Sequence, residues 1–287
     1  MGEPIAKAMK DRSAAPPYSG GPSTSDRAGG VTGEVSPGSL VARLRTPRKP
    51  RLWFEILLIG VSYWLYSLIR NHVPEQRRSA LRHAHTVWDF ERDFGLGLEH
   101  SVNHGLNAVT WLIIGMNYYY ATLHFIATIA VLVWLYLRRP DRFRPARSVL
   151  FITTWLALFG FWLYPLAPPR LLPGAGFIDT VEVHDTWGSL SKGDLAHVSN
   201  QYAAMPSMHI GWSLWCGITV AALAARTWVR VLGALYPVLT LVVIVATGNH
   251  FWLDAVGGAL CLAIGYAVAY LVYGRWAYRL PREPERS

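Results

Sequence analysis

Apolar residues in this chain come in blocks, with polar residues gathered between them. Runs with almost no charge lie near residues 53 to 70, 118 to 137, 148 to 167, 207 to 225, 230 to 247 and 250 to 273. Crossing roughly 30 Å of hydrocarbon takes about 20 helical residues, and each run is close to that length. A backbone in lipid must satisfy its own hydrogen bonds, which a helix does internally. The pattern therefore predicts an all-α, polytopic integral membrane protein of about six transmembrane helices. The second span has the least definite start, because WLIIGM ahead of the NYYY run allows an entry as early as Val109.

Residues 71 to 108 break the block pattern. Leu81, His85, Trp88, Phe94, Leu98, Val102 and Leu106 are spread among comparable numbers of acids and bases, the mark of an amphipathic, interfacial segment between the first and second spans. A lid over a site is favoured there over a plain surface helix. His100 and His104 share i, i+4 spacing, but no HExxH or Glu-x-x-His pattern accompanies them, so headgroup-facing histidines are favoured over a metal pair. Residues 1–50, rich in Gly, Pro, Ser and Ala, are expected to form a disordered basic cytoplasmic tail with no cleavable signal peptide. The expected organisation is then 51–108 for the first helix and the interfacial segment, 109–274 for a catalytic membrane core of five helices, and 275–287 for a second cytoplasmic tail.

Composition agrees with the block pattern: 52% of the residues are hydrophobic and 16% charged, with a mean hydropathy of +0.22. The formal charge of +9 is distributed unevenly. Arg43, Arg45, Arg48, Lys49 and Arg51 precede the first span; Arg138, Arg139, Arg142, Arg144 and Arg147 follow the second. Arg226 and Arg230 lie between the fourth and fifth, and Arg275, Arg279, Arg282 and Arg286 come after the sixth. Basic residues mark cytoplasmic loops, so both termini are expected inside a cell membrane. The charge reads as topology and attraction to anionic lipids, with no nucleic-acid partner. Cys216 and Cys261 fall mid-span, where disulfide or metal chemistry is not expected.

Candidate chemistry lies at the outer ends of apolar helices. In AAMPSMHIGW, Pro206 suits a helical first turn, which places Ser207 and His209 among the free amides and positive dipole end that favour a phosphate. In GNHFWLDAVGG, His250 and Asp254 are four residues apart and are expected to share a helical face. An aspartate entering a span costs about 3 kcal/mol, so it calls for a partner. A carboxylate on one ring nitrogen presents the other as base or nucleophile; a capped helix with a satisfied His–Asp pair is the alternative. With six spans, both motifs and Arg170, delivered by FWLYPLAPPR, arrive at the outer face. That guanidinium is placed either to grip phosphate oxygens or to snorkel to headgroups.

These motifs resemble those of the type 2 phosphatidic acid phosphatase superfamily, and within it the branch similar to inositol phosphorylceramide synthases. PSMH and HFWLDAVGG carry the likeness, which spans roughly residues 117 to 273 and includes APPR. The resemblance implies a six-span helical core in which His250 attacks phosphorus to give a phosphohistidine and Asp254 orients it. His209 would protonate the leaving oxygen, while Ser207 and Arg170 hold the phosphoryl oxygens, with no metal and no cofactor. Two basic ligands of the phosphatase pattern are replaced: Leu163 and its neighbours are uncharged, and Val243 and Ile244 stand where a Ser-Arg pair is expected. That departure is similar to the phosphotransferase branch. Asn117 and His124, seven apart on one face, and Asn200 and Gln201 are candidate pocket residues, with helix packing as the alternative for Asn117 and His124. The expected activity is transfer of a phospho-headgroup of the inositol phosphate type from a lipid phosphate. The alternatives are an outer-face phosphatase of lipid or polyprenyl phosphates, and a non-enzymatic lipid-binding subunit.

Overall fold

Every apolar block forms a helix. The computed structural model describes residues 50–72, 76–186 and 202–279; the expectations for Asn200, Gln201 and most of the two tails lie outside them. In chain order the helices are α1 (Leu52–His72), α2 (Arg77–Asp93), α3 (Glu99–Asn107), α4 (Thr110–Arg138), α5 (Pro140–Leu163), the short α6 (Thr180–Val183), α7 (Met208–Leu223), α8 (Thr227–Ala246) and α9 (Trp252–Tyr273). Among the described residues there is no strand, only an isolated parallel bridge between Leu166 and Ala203. Helices α4, α5, α8 and α9 are long and apolar enough to cross a membrane, and α7 and part of α1 are shorter apolar helices. The protein is an all-α polytopic membrane protein.

Three boundaries differ from the sequence pattern, each for a local reason. Helix α4 begins at Thr110, the earliest start that the pattern allowed, and is interrupted by a π-helical stretch at Tyr119–Leu123. Helix α5 begins eight residues before the apolar run because Pro140 sits at its start, where a missing N–H costs nothing. It ends at Leu163, ahead of Pro165, which cannot continue it. The arginines of this segment therefore lie on the helix, and Arg147 pairs inside the protein with Glu55 of α1.

Helix α7 is the hub, packed against α8, α9, α4 and α5. Small residues permit the approach: a Cβ on Gly217 would lie 2.6 Å from the Gly233 carbonyl of α8, and one on Gly265 of α9 2.5 Å from Thr153 Oγ1 of α5. One half of the bundle is filled by Leu135, Phe143, Leu150, Trp215, Leu262 and Tyr273. At that end Arg139 and Arg230 donate to the Leu223 and Ala224 carbonyls, neutralising the negative end of α7. Large side chains such as Ile126, Leu137, Leu163, Trp228, Leu235 and Leu271 point outward, as contact with lipid tails demands.

The other end is roofed. Ala80, Ala84, Val87 and Trp88 of α2 pack on Leu166, Ala167, Leu172 and Phe251, and His83 Nδ1 donates to the Pro165 carbonyl. The amphipathic segment thus contributes a buried face to the bundle end that carries both sequence motifs. Asn103 of α3 ties the same region together, donating to the Ala246 and Ile178 carbonyls and accepting from the Ile178 amide.

Candidate active site

The turn between α8 and α9 sets the position of His250. Gly248 adopts φ +66°, and a Cβ there would press on Arg170, Asn103 and the Ile178 carbonyl. The amides of Asn249 and His250 both donate to the Ile244 carbonyl, at 3.0 and 3.2 Å. His250 consequently precedes α9 and does not share a helical face with Asp254, contrary to the i, i+4 expectation. Asp254 occupies the third helical position, where a side chain reaches back to the start of its own helix. Its Oδ2 accepts from the Phe251 amide at 3.0 Å and from His250 Nδ1 at 3.1 Å.

This bond decides the tautomer. A carboxylate only accepts, so Nδ1 carries the proton and Nε2 keeps its lone pair. Both residues are buried, and among the described residues His250 Nε2 has no hydrogen-bond partner.

Helix α7 starts later than expected. Ser207 is its N-cap, with Oγ accepting from the Ile210 amide at 3.5 Å, so Pro206, which follows a cis peptide bond, lies outside the helix. The short hydroxyl satisfies a first-turn donor that proline cannot. The Ser207 N–H donates to the Asp254 carbonyl at 2.9 Å, which joins the starts of α7 and α9 directly. His209, in the first turn, then lies with its ring centroid 5.5 Å from that of His250.

A third histidine completes the cluster. The His209 ring stacks on Tyr120 with centroids 4.1 Å apart and lies 4.1 Å from the His124 ring. His124 Nδ1 and His209 Nε2 both donate to the Tyr120 carbonyl, at 3.0 and 3.3 Å. Tyr120 lies in the π-helical stretch of α4, where the widened ladder turns a carbonyl toward side chains.

Arg170 is brought to the same turn by its backbone, its N–H donating to the Gly248 carbonyl at 2.9 Å. Its Nε donates to Asn249 Oδ1 at 3.0 Å and its Nη1 to Asp179 Oδ2 at 2.7 Å. Asp179 serves twice, since its Oδ1 caps α6 through the Val181 and Glu182 amides. Asn249 is in turn held by Thr247 Oγ1 at 2.8 Å. Neither Asp179 nor Asn249 stands out in the sequence, because nothing local links them to Arg170.

Asn117 is placed differently. It is fully buried, donates to the Thr180 carbonyl and Thr186 Oγ1, and accepts from Thr180 Oγ1, so its amide anchors the 180–186 segment to α4. His100 and His104 stack on each other, and His104 Nε2 donates to the Gly176 carbonyl. Among the described residues, no group of three or more His, Cys, Asp and Glu side chains is arranged to hold a metal.

The family model of the PAP2 superfamily matches residues 85–268. No curated protein and no solved structure matches the chain.

Proposed function

The chain belongs to the PAP2 superfamily of phosphatases and phosphotransferases, and from that premise we propose that it transfers a phospho-headgroup from a membrane lipid through His250. The observation that carries this reading is the state of the imidazole: Nδ1 bound to Asp254, Nε2 buried and, among the described residues, unpartnered. In the first step the Nε2 lone pair attacks phosphorus and the bond from phosphorus to the lipid oxygen breaks. His209, as its imidazolium with Nε2–H on the Tyr120 carbonyl, gives the Nδ1 proton to that oxygen, which leaves as the lipid alcohol. An alcohol acceptor then attacks the phosphohistidine, passes its proton to His209 and leaves with the phospho-headgroup. Asp254 holds the proton on Nδ1 and offsets the charge that develops on the ring.

Arg170 and Ser207, with the first-turn amides of α7, are assigned to the phosphoryl oxygens, so the scheme calls for no metal or cofactor. The charge of this set favours a diester. A phosphomonoester brings close to two negative charges and a diester one, whereas among the described residues the site offers Arg170 as its guanidinium and the buried apolar Val243 and Ile244 where the phosphatase pattern has Ser-Arg. An inositol-phosphate-type headgroup on a diester lipid meets that requirement. His124 is assigned to the pocket wall beside His209. Residues 109–274 form the catalytic core of this proposal. The site lies at the outer face of the cell membrane with both termini inside, because Arg139 and Arg230 sit at the opposite helix ends.

The test is incubation of purified protein in detergent with chelator and labelled phosphatidylinositol and lipid phosphates, with and without alcohol acceptors. Transfer of label that disappears in His250→Ala and Asp254→Ala, with acid-labile label trapped on the wild-type protein, is the expected result. Release only to water would make the protein a phosphatase of lipid or polyprenyl phosphates. Unchanged function of His250→Ala in cells would leave a non-enzymatic lipid-binding subunit.

A further inference from the structure

The first turn of α9 has an unusual set of acceptors. Three consecutive amides there donate to three different carboxyl groups: Phe251 to Asp254, Trp252 to Glu99 Oε1 at 3.1 Å and Leu253 to Glu91 Oε1 at 2.9 Å. Glu91 lies near the end of α2 and Glu99 at the start of α3, and both are 0% exposed. Free amides at a helix start normally face water or one capping side chain. Here the amphipathic segment reaches across to occupy them.

The second oxygens pose a problem. Glu91 Oε2 and Glu99 Oε2 are both buried and, among the described residues, neither has a partner, while the Oε1 atoms of the two side chains take consecutive amides of the same helix turn, which brings the carboxyl groups side by side. Two carboxylates cannot bond to each other, and two buried like charges side by side are costly. One proton resolves both difficulties, because a carboxyl O–H on one residue donates to the carboxylate of the other.

We infer that Glu91 and Glu99 act as one unit, two carboxyl groups sharing a single proton, which clamps the first turn of α9 and so positions the His250–Asp254 pair. The clamp rests on the catalytic reading above only for its effect on turnover. The charged groups acting on Glu91 are Glu99 from α3 and Asp254 from α9, with His250 bonded to the latter. Burial, reinforced by Glu99, pushes the Glu91 carboxyl from 4.5 up to about 9. An acid raised in this way holds a proton that the unfolded chain releases, so folding stability falls as pH rises from about 4.5 to about 9. Above that window the clamp carries two charges.

Single glutamine variants discriminate the clamp from mere packing. In Glu91→Gln or Glu99→Gln the amide oxygen still accepts from the helix amide and the NH2 still donates to the remaining carboxylate. Infrared spectra of the wild type at neutral pH are expected to show the C=O stretch of a protonated carboxylic acid, lost in either glutamine variant and titrating away toward pH 9. Hydrogen exchange of the Phe251, Trp252 and Leu253 amides is expected to stay slow in the glutamine variants and to accelerate in Glu91→Ala and Glu99→Ala. On lipid phosphates, alanine variants should lose about 100-fold in kcat with KM little changed, the effect of a misplacement of about 1 Å, while glutamine variants keep turnover. Absence of the carboxyl band, or exchange in glutamine variants as fast as in alanine variants, overturns the clamp. A wild type that turns over no lipid but shows the band and the exchange pattern overturns the catalytic reading and leaves the clamp standing.

Discussion

Replacing Gly258 by alanine adds one methyl group where α9 crosses the start of α7. The new Cβ would lie 2.2 Å from the Ser207 carbonyl oxygen, and ordinary contact begins at 3.4 Å, so the two backbones must part by about 1.2 Å. The atom it meets is backbone, which has no rotamer to change. Overpacking of this kind costs about 1–3 kcal/mol, and separation also loosens the Ser207 N–H to Asp254 carbonyl bond, worth about 1 kcal/mol. Against this stands the helix-propensity gain of alanine over glycine, about 0.5–1 kcal/mol. The net expectation is a loss of about 1–3 kcal/mol, read as a lower Tm in detergent. Turnover should fall further than stability, because the displaced elements carry His209 and Asp254 and about 1 Å of misplacement is worth about 100-fold in rate. Gly115→Ala is the control: its Cβ meets nothing within 4 Å, and the same substitution should be neutral or stabilising. A Gly258→Ala protein with the wild-type Tm and full turnover would refute the argument that this crossing sets the geometry of the site.

Asp254→Asn should retain the acceptor for the Phe251 amide and hence most of the stability, yet lose about 10⁴-fold in turnover because the ring is no longer held in its tautomer; comparison with the Tm of Asp254→Ala checks the first half. Asp179→Asn keeps an oxygen to cap α6 but removes the ion pair to Arg170, so KM for lipid phosphates should rise about 10-fold while Tm changes little, as steady-state kinetics would show. Arg147→Met leaves Glu55 buried without its partner and should cost about 3–5 kcal/mol, with much of it recovered in the Glu55→Leu/Arg147→Met double variant; thermal unfolding of the three proteins decides it. Asn117→Ala removes hydrogen bonds to Thr180 and Thr186, so it should lower Tm and leave KM nearly unchanged if the residue is an anchor, and raise KM if it lines the pocket.

The bundle was legible because hydrophobic blocks and segregated arginines are local, one-dimensional properties that lipid imposes directly on a chain. Motif spacing and span order likewise place Ser207, His209, His250, Asp254 and Arg170 at one end of the bundle, where the structure has them together. One part of the roof was also readable in principle: Ala80, Ala84, Val87, Trp88 and Glu91 recur at helical spacing, which puts an acid on the buried face of α2. Spacing alone paired His250 with Asp254 correctly but put both on one helical face, which is not how the structure makes their bond. It follows from a turn ahead of α9 and a carboxylate reaching back to it, because helix starts are defined by which side chains take up their free amides. The remaining contacts join distant parts of the chain. Glu99 and Trp252 are 153 residues apart, Glu91 and Leu253 162, Arg170 and Asn249 79, and His209 and Tyr120 89. No periodicity encodes such pairs. They exist because packed helices bring their ends together, and because a buried polar atom, once there, takes whichever partner the fold has placed beside it.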